Sequence, residues 1–190
     1  MPELIAYTGP MWSGKTTGLL SFFQQSINDK LKVGVFDHPN NKRCSQRDLG
    51  LLCANTKIFD PKDVLEQSWD VLIFDEVHLY DCFGNSAQFL HTVQKALAQV
   101  IVMAGIHYDF YHDFHLFPVW NKLAILGCEF RNCYSVVPCA MCGMWQSVQY
   151  TVSIGDPNQR VGDFYQNVCR SCGIKYLVEW KNKLKESAAV

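Results

Sequence analysis

Gly9-Pro10-Met11-Trp12-Ser13-Gly14-Lys15-Thr16 is a full match to G-x-x-x-x-G-K-[ST], and its surroundings decide the fold. Glycines let backbone N–H groups turn inward around a polyphosphate, and the helix that follows points its positive end at the same charge. Lys15 then reaches the outer phosphates of a nucleoside triphosphate, and the Thr16 hydroxyl ligates Mg2+. The short apolar run 4–7 reads as a strand, and residues 17–23 carry apolar residues at helical spacing. The loop therefore sits between strand and helix, as its chemistry requires.

Downstream, strand-like and helical stretches alternate, as an α/β fold with a parallel central sheet predicts. Residues 32–36, 57–59, 70–74 and 100–104 read as strands and 86–98 as a helix. The strand 70–74 ends in Asp75-Glu76. An apolar strand that delivers a carboxylate beside a phosphate loop is the Walker B arrangement, in which the acid orients magnesium or its water shell.

Nine cysteines are present, and four of them form two C-x-x-C pairs, Cys139 with Cys142 and Cys169 with Cys172. A two-residue gap lets both thiolates converge on one tetrahedral ion, so two such knuckles complete a closed structural zinc site with no open position for catalysis. Cys44, Cys53, Cys82, Cys128 and Cys133 are scattered through apolar or loop sequence and read as small packing residues of a reducing compartment. The zinc element begins near Val136-Val137-Pro138, which divides the chain into a phosphate-loop domain, 1–137, and a zinc-binding domain, 138–190.

A chain of 190 residues with 48% hydrophobic content holds one domain and a small appendage around an ample core. The net charge of −1 argues against a protein that works by coating nucleic acid or an acidic membrane. Met1-Pro2-Glu3 runs straight into the first strand, so a secretory leader is not expected and the expected compartment is the cytoplasm. The uncharged stretch 132–155 is broken by Asn132, Pro138 and two glutamines, too heavily for a membrane span.

Asp75-Glu76-Val77-His78 permits two readings. It spells the D-E-x-H of helicases and translocases, where the glutamate activates water to hydrolyse ATP in a motor coupled to nucleic acid. Such motors bind ATP between two domains of this kind, and the residues after Asp75, partly committed to zinc, are too few for a second. Alternatively the glutamate acts as general base on a hydroxyl of a small acceptor, which needs one domain and a lid.

The whole set of motifs closely resembles the type II thymidine kinase family, the zinc-containing kind. The loop at 9–16 is similar to the family's G-P-M-F-[SA]-G-K-T, and Asp75-Glu76-Val77-His78-Leu79-Tyr80 to its D-E-[AG]-Q-F-F. Ala104-Gly105-Ile106-His107-Tyr108-Asp109-Phe110 resembles A-G-L-D-x-x-F. Cys139-x-x-Cys142, Tyr150-Thr151 and Val161-Gly162-Asp163-Phe164-Tyr165-x-x-x-Cys169-Arg170-x-Cys172 follow in family order.

The resemblance implies an ATP-dependent kinase of the nucleoside 5′-hydroxyl with a pyrimidine deoxynucleoside, thymidine, as acceptor. It implies Glu76 as the base, and Asp75, Arg43 and His78 beside ATP and magnesium. It implies a zinc-tethered lasso that grips the base through Asn158, Gln159, Arg160, Val161 and Gly162, with Thr151, Ile106, Phe110 and Tyr165 completing the pocket. It also implies a homo-oligomer, a tetramer, with no nucleic-acid or membrane partner. His107, His112 and His115 read as part of a solvated, partly aromatic loop over that pocket rather than a second metal site.

Departures from the family pattern are specific. The family carries D-x-R after its second strand, whereas Asn41-Lys42-Arg43 keeps the arginine and replaces the acid with an amide. His107 stands where an aspartate is usual, His78 replaces glutamine and Leu79 a phenylalanine. A divergent kinase has this pattern, and so does a paralogue that binds nucleotide without turnover.

Overall fold

The computed structural model describes residues 1–41, 54–110, 113–134, 137–145, 148, 150–154 and 165–187. At its centre is a six-stranded sheet built from β1 (Glu3–Gly9), β2 (Val33–Asp37), β3 (Thr56–Ile58), β4 (Ser68–Phe74), β5 (Leu97–Ile106) and β8 (Glu129–Asn132). The order is β3-β2-β4-β5-β1-β8, and every pairing is parallel. The expected α/β class with a parallel central sheet is what the chain forms.

Because successive side chains of a strand point to opposite faces, the central apolar runs feed two separate cores. Ile5, Val35, Val71, Ile73, Val102 and Ala104 face Leu19 and Phe23 of α1 (Lys15–Asn28). Leu4, Ala6, Phe36, Leu72, Phe74, Ile101 and Met103 face the other way. There they meet Phe89 and Val93 of α4 (Ser86–Lys95) and Trp120 and Leu123 of α5 (Pro118–Ile125). Trp120 is fully buried and its indole N–H donates to the Ile106 carbonyl at 2.8 Å, so packing on this face also fixes the end of β5. Two further short helices, α2 (Pro61–Leu65) and α3 (Leu79–Cys82), add Val64 and Tyr80 to the same core.

The helix expected over 86–98 is shorter than its composition suggests. It stops at Lys95, Ala96 turns extended at φ −58° and ψ 133°, and β5 begins at Leu97. Alanine and leucine favour helix, but here the ladder that pairs Ser68 with Leu97 and Trp69 with Ala98 recruits them into the sheet, a tertiary override of propensity. The second strand also runs one residue later than expected and ends on Asp37.

Beyond the sheet lie two antiparallel pairs, β6 (Tyr108–Asp109) with β7 (His115–Leu116) and β9 (Tyr150–Ser153) with β10 (Tyr165–Val168), and the last helix α6 (Arg170–Ser187). They share a third core of Phe110, Cys139, Val152, Val168, Cys169 and Leu177, flanked by Phe114, Tyr150, Tyr176 and Trp180. The small core around the cysteines thus draws Phe110 and Phe114 from the β6–β7 segment as well as residues after 137. No helix among the described residues is long and apolar enough to cross a membrane.

Candidate active site

β1 runs into the phosphate loop at Gly9 because nothing larger fits. A Cβ there would lie 2.2 Å from the Cys133 carbonyl, whose own N–H donates to Thr8 at 2.7 Å. The loop then turns through left-handed backbone at Trp12 (φ 53°) and Gly14 (φ 84°), the alternation that presents successive N–H groups to an anion. α1 starts at Lys15 with no acidic residue in its first turn, leaving its positive end unopposed. Lys15 is buried, and its ammonium donates to the Pro10 carbonyl and lies 3.5 Å from Ser13 Oγ, folded back along the loop.

β4 lies two strands from the loop in the sheet, with β5 between them, and ends at Phe74, so that Asp75 is the first residue beyond it. Glu76 follows in left-handed backbone, φ 51°, a conformation that costs a non-glycine residue about 1–3 kcal/mol and needs strong surroundings to hold it. Those surroundings are on either side. The Glu76 N–H donates to Asp75 Oδ1 at 2.8 Å, and the Val77 N–H donates to the Ala104 carbonyl at 2.8 Å. Glu76 Oε2 is buried with no hydrogen-bond partner among the described residues. His78 Nδ1 lies 3.5 Å from it but accepts the Ile106 N–H at 3.2 Å, so that nitrogen carries no proton to give. The Glu76 carboxylate thus keeps one buried oxygen whose acceptor capacity the surrounding side chains leave unused.

His78, expected beside ATP and magnesium, is buried with its ring 5.2 Å from that of Phe117 and spans Glu76 and the end of β5. Gly105 makes room for it, since a Cβ there would come within 3.2 Å of His78 and 2.8 Å of Trp120. Ile106 has both backbone groups engaged, by His78 and by Trp120.

Sequence reasoning missed Asp37. It ends β2 beside β4, where Phe36 pairs with Phe74 and the Asp75 N–H donates to the Phe36 carbonyl. Burial pushes its carboxyl up to about 7, against a lowering hydrogen bond from the Asn41 amide, and the nearby Glu76 raises it further. Asp75 is raised too, first by burial and then by Glu76 and Asp37, with Lys15 pulling the other way. The available signal was local. Val35-Phe36-Asp37 and Ile73-Phe74-Asp75 repeat one pattern, an apolar strand ending in Phe-Asp. Three acids crowded together suit a divalent cation, and the neighbouring lysine suits an anion such as a polyphosphate.

The hairpin β9–β10 meets the phosphate loop directly. Thr151 Oγ1 accepts the Met11 N–H at 2.9 Å and donates to Asn167 Oδ1 at 3.1 Å, while the Asn167 amide donates to the Met11 carbonyl. Asn167, absent from the expected site, is as buried as Thr151. Tyr165 opens β10 opposite Ser153. Phe110, expected against the base, is 3% exposed and packs on the rings of Phe114, Tyr176 and Trp180. Arg43 and residues 158–162 lie outside the described residues.

The sulfurs of Cys139, Cys142, Cys169 and Cys172 all lie within 4.8 Å of one another, close to the edge of about 3.8 Å that four thiolates at zinc distance would make. The Cys169 N–H donates to Cys139 Sγ at 3.4 Å. Burial would push the Cys139 thiol up, but N–H groups of Cys169, Cys142 and Met141 aimed at its sulfur bring it down to about 6, which favours the ligand form. The donor set fits a closed Zn2+ site. Of the other cysteines, Cys128 is buried in a core and Cys82 packs against it, Cys133 is half-buried, and Cys44 and Cys53 lie outside the described residues.

Comparison with known proteins gives two findings. A family model described as thymidine kinase matches residues 3–173. The chain is also similar to a thymidine kinase of Choristoneura biennis entomopoxvirus, 24% identical over 181 residues, covering 87% of this chain and 92% of that one.

Proposed function

The chain belongs to the thymidine kinase family, and we propose that it transfers the γ-phosphoryl group of ATP to the 5′-hydroxyl of thymidine. The observation that carries this reading is Glu76, held in left-handed backbone beside the phosphate loop with one buried carboxylate oxygen unengaged. An unengaged base next to a triphosphate loop suits removal of a proton from an incoming hydroxyl.

In this mechanism Glu76 takes the 5′-hydroxyl proton as the oxygen attacks the γ-phosphorus in line, and the bond to the β-phosphate oxygen breaks to release ADP. Lys15 leaves its Pro10 carbonyl for the outer phosphates, and loop N–H groups from Trp12 to Thr16 hold the rest. Thr16 and Asp75, with Asp37 behind them, would hold the Mg2+ that accompanies ATP, whose charge neutralises the phosphate oxygens. Such catalysis consists almost entirely of positioning and charge stabilisation. Arg43 and His78 belong to the same proposal, Arg43 towards the phosphates and His78 through the orientation of Glu76.

The nucleoside side is supported by family membership and by the hairpin's approach to the loop. Backbone groups of residues 158–162 would grip the pyrimidine edge, with Thr151, Ile106 and Tyr165 around it and Phe110 supporting the wall from the core behind. Zn2+ on the four cysteines would anchor both ends of this lasso and contribute folding free energy. A cytoplasmic homo-oligomer, a tetramer, remains part of the proposal on the resemblance alone. A panel of nucleosides with labelled ATP tests the reading: thymidine monophosphate should be the main product. ATP hydrolysis that needs DNA or RNA, with no nucleoside monophosphate formed, would favour a nucleic-acid-coupled ATPase instead, and binding without turnover a silent paralogue.

A further inference from the structure

Met11 is 5% exposed, so its peptide N–H and C=O have little access to water and must find partners within the protein. Both partners are side chains of the β9–β10 hairpin, 140 and 156 residues away in sequence. The bonds close a ring: Met11 N–H to Thr151 Oγ1, Thr151 O–H to Asn167 Oδ1, Asn167 N–H to Met11 O. Every donor in the ring meets an acceptor, which is the condition under which a buried polar network specifies one geometry.

The ring has two consequences at the phosphate loop. The Met11 N–H is spent on Thr151 and does not belong to the phosphate cradle, which therefore starts at Trp12. Trp12 is the first residue of the loop to turn left-handed, so fixing the peptide before it fixes the turn that aims the next N–H groups inward. On its other side Asn167 is tied to the cysteine site. Its carbonyl accepts the Ala140 N–H at 3.0 Å, one residue from Cys139, and Cys169 follows two residues later.

We propose that Asn167 is a positioning residue that holds the phosphate loop in its ATP-receiving shape, so that affinity for ATP depends on the cysteine-anchored hairpin. This goes beyond the kinase reading and rests on it only for the identity of the nucleotide. The geometry is an arrangement of preorganisation: the loop's turn is set before the triphosphate arrives, which removes an ordering cost from binding.

The test is titration of Mg·ATP, and separately of thymidine, into the full chain and into Asn167→Ala and Thr151→Val, with metal content and thermal unfolding recorded for each. Asn167→Ala should raise the ATP dissociation constant by roughly tenfold, the scale for leaving a buried backbone group unpaired, and the ATP KM should rise with it more than the thymidine KM. Because the three groups form one ring, Asn167→Ala in the Thr151→Val background should add little further loss for ATP. Unchanged ATP affinity in both variants with metal content intact would overturn the proposal. So would equal loss of ATP and thymidine affinity with metal shed, since that is the signature of a purely structural residue. A chain that loses ATP affinity on Asn167→Ala but never phosphorylates thymidine would support the clamp and sink the kinase reading; the reverse pattern would sink the clamp alone.

Discussion

The Asn41 side-chain amide donates to the Asp37 carboxylate at 2.7 Å, joining the end of β2 to the position where the family carries its acid. The amide at 41 does not leave this corner without a carboxylate. Asp37 supplies one from four residues earlier, buried and next to Asp75 and Glu76, and Asn41 has become its hydrogen-bond donor.

Removing that carboxylate should separate stability from activity. Asp37→Asn keeps the size and the acceptor for the His38 N–H while deleting a buried charge that raises the carboxyls around it. The ligand-free variant should melt higher than the wild type, and turnover with Mg·ATP should fall by about tenfold as cation handling weakens. A variant that melts no higher, or that keeps full turnover at low Mg2+, would show Asp37 to be a bystander.

The pH dependence follows from the same group. Its folded carboxyl, raised from 3.8 to about 7, keeps a proton that the unfolded chain has already released. Stability is therefore fullest below about pH 4 for this group and is lost as pH rises towards 7. Asp75, also raised, acts in the same direction. Unfolding midpoints of the ligand-free protein should decline from pH 5 to pH 8, less steeply in Asp37→Asn, and saturating Mg·ATP should flatten the decline. Identical slopes for wild type and variant in thermal scans across that range would contradict this account.

Glu76→Gln preserves shape and polarity but removes the base. Turnover should drop by about 10² or more while thymidine and ATP still bind, measured by single-turnover product formation alongside equilibrium titration. Near-normal turnover would remove Glu76 from the chemistry. His78→Gln, which restores the residue usual in the family, should act more mildly, since His78 touches Glu76 and Ile106 from the buried side.

What was legible in the sequence depended on whether the signal was local. The loop at 9–16, the strand that delivers Asp75-Glu76 and the paired cysteines each announce themselves within a few residues, because strand periodicity, glycine turns and two-residue ligand spacing are local physics. Asp37 was hidden for the opposite reason: its meaning lies in β2 pairing with β4, a relation 38 residues apart in sequence at Phe36 and Phe74. Asn167 was less visible still, as an amide in a strand that acquires its role only when β10 docks on Met11. The early end of α4 belongs to the same class, decided by the ladder with β4 rather than by the helix-forming residues themselves.

The cysteine cluster makes a prediction about folding as well as binding. Purified protein should carry zinc, and Cys169→Ser should lose it together with the third core, where Cys169 and Cys139 are buried against Phe110 and Val168. Metal analysis with near-ultraviolet circular dichroism would follow both, since Tyr150, Tyr176 and Trp180 flank that core. A folded, active, reduced protein without zinc would refute the assignment.

Tyr165 tests the nucleoside side. It opens β10 four residues before Cys169 and two before Asn167, so the strand that carries it is tied within a few residues to both the phosphate loop and the cysteine site. A ring held on so constrained a strand can pack on a flat base with little loss of freedom on binding. Tyr165→Ala should weaken thymidine by about 1–3 kcal/mol, the range for a base stacked on an aromatic side chain. ATP affinity should barely move, because the Met11 ring of hydrogen bonds does not pass through residue 165. Purine nucleosides should remain poor acceptors in the wild type, since a lasso closed on a pyrimidine edge would have to open to admit the larger ring. Thymidine titrations on the wild type and the variant, paired with guanosine as a competing acceptor, decide the matter: an unchanged thymidine constant, or guanosine phosphorylated as well as thymidine, would rule out the lasso as the base-gripping element while leaving the chemistry at Glu76 untouched.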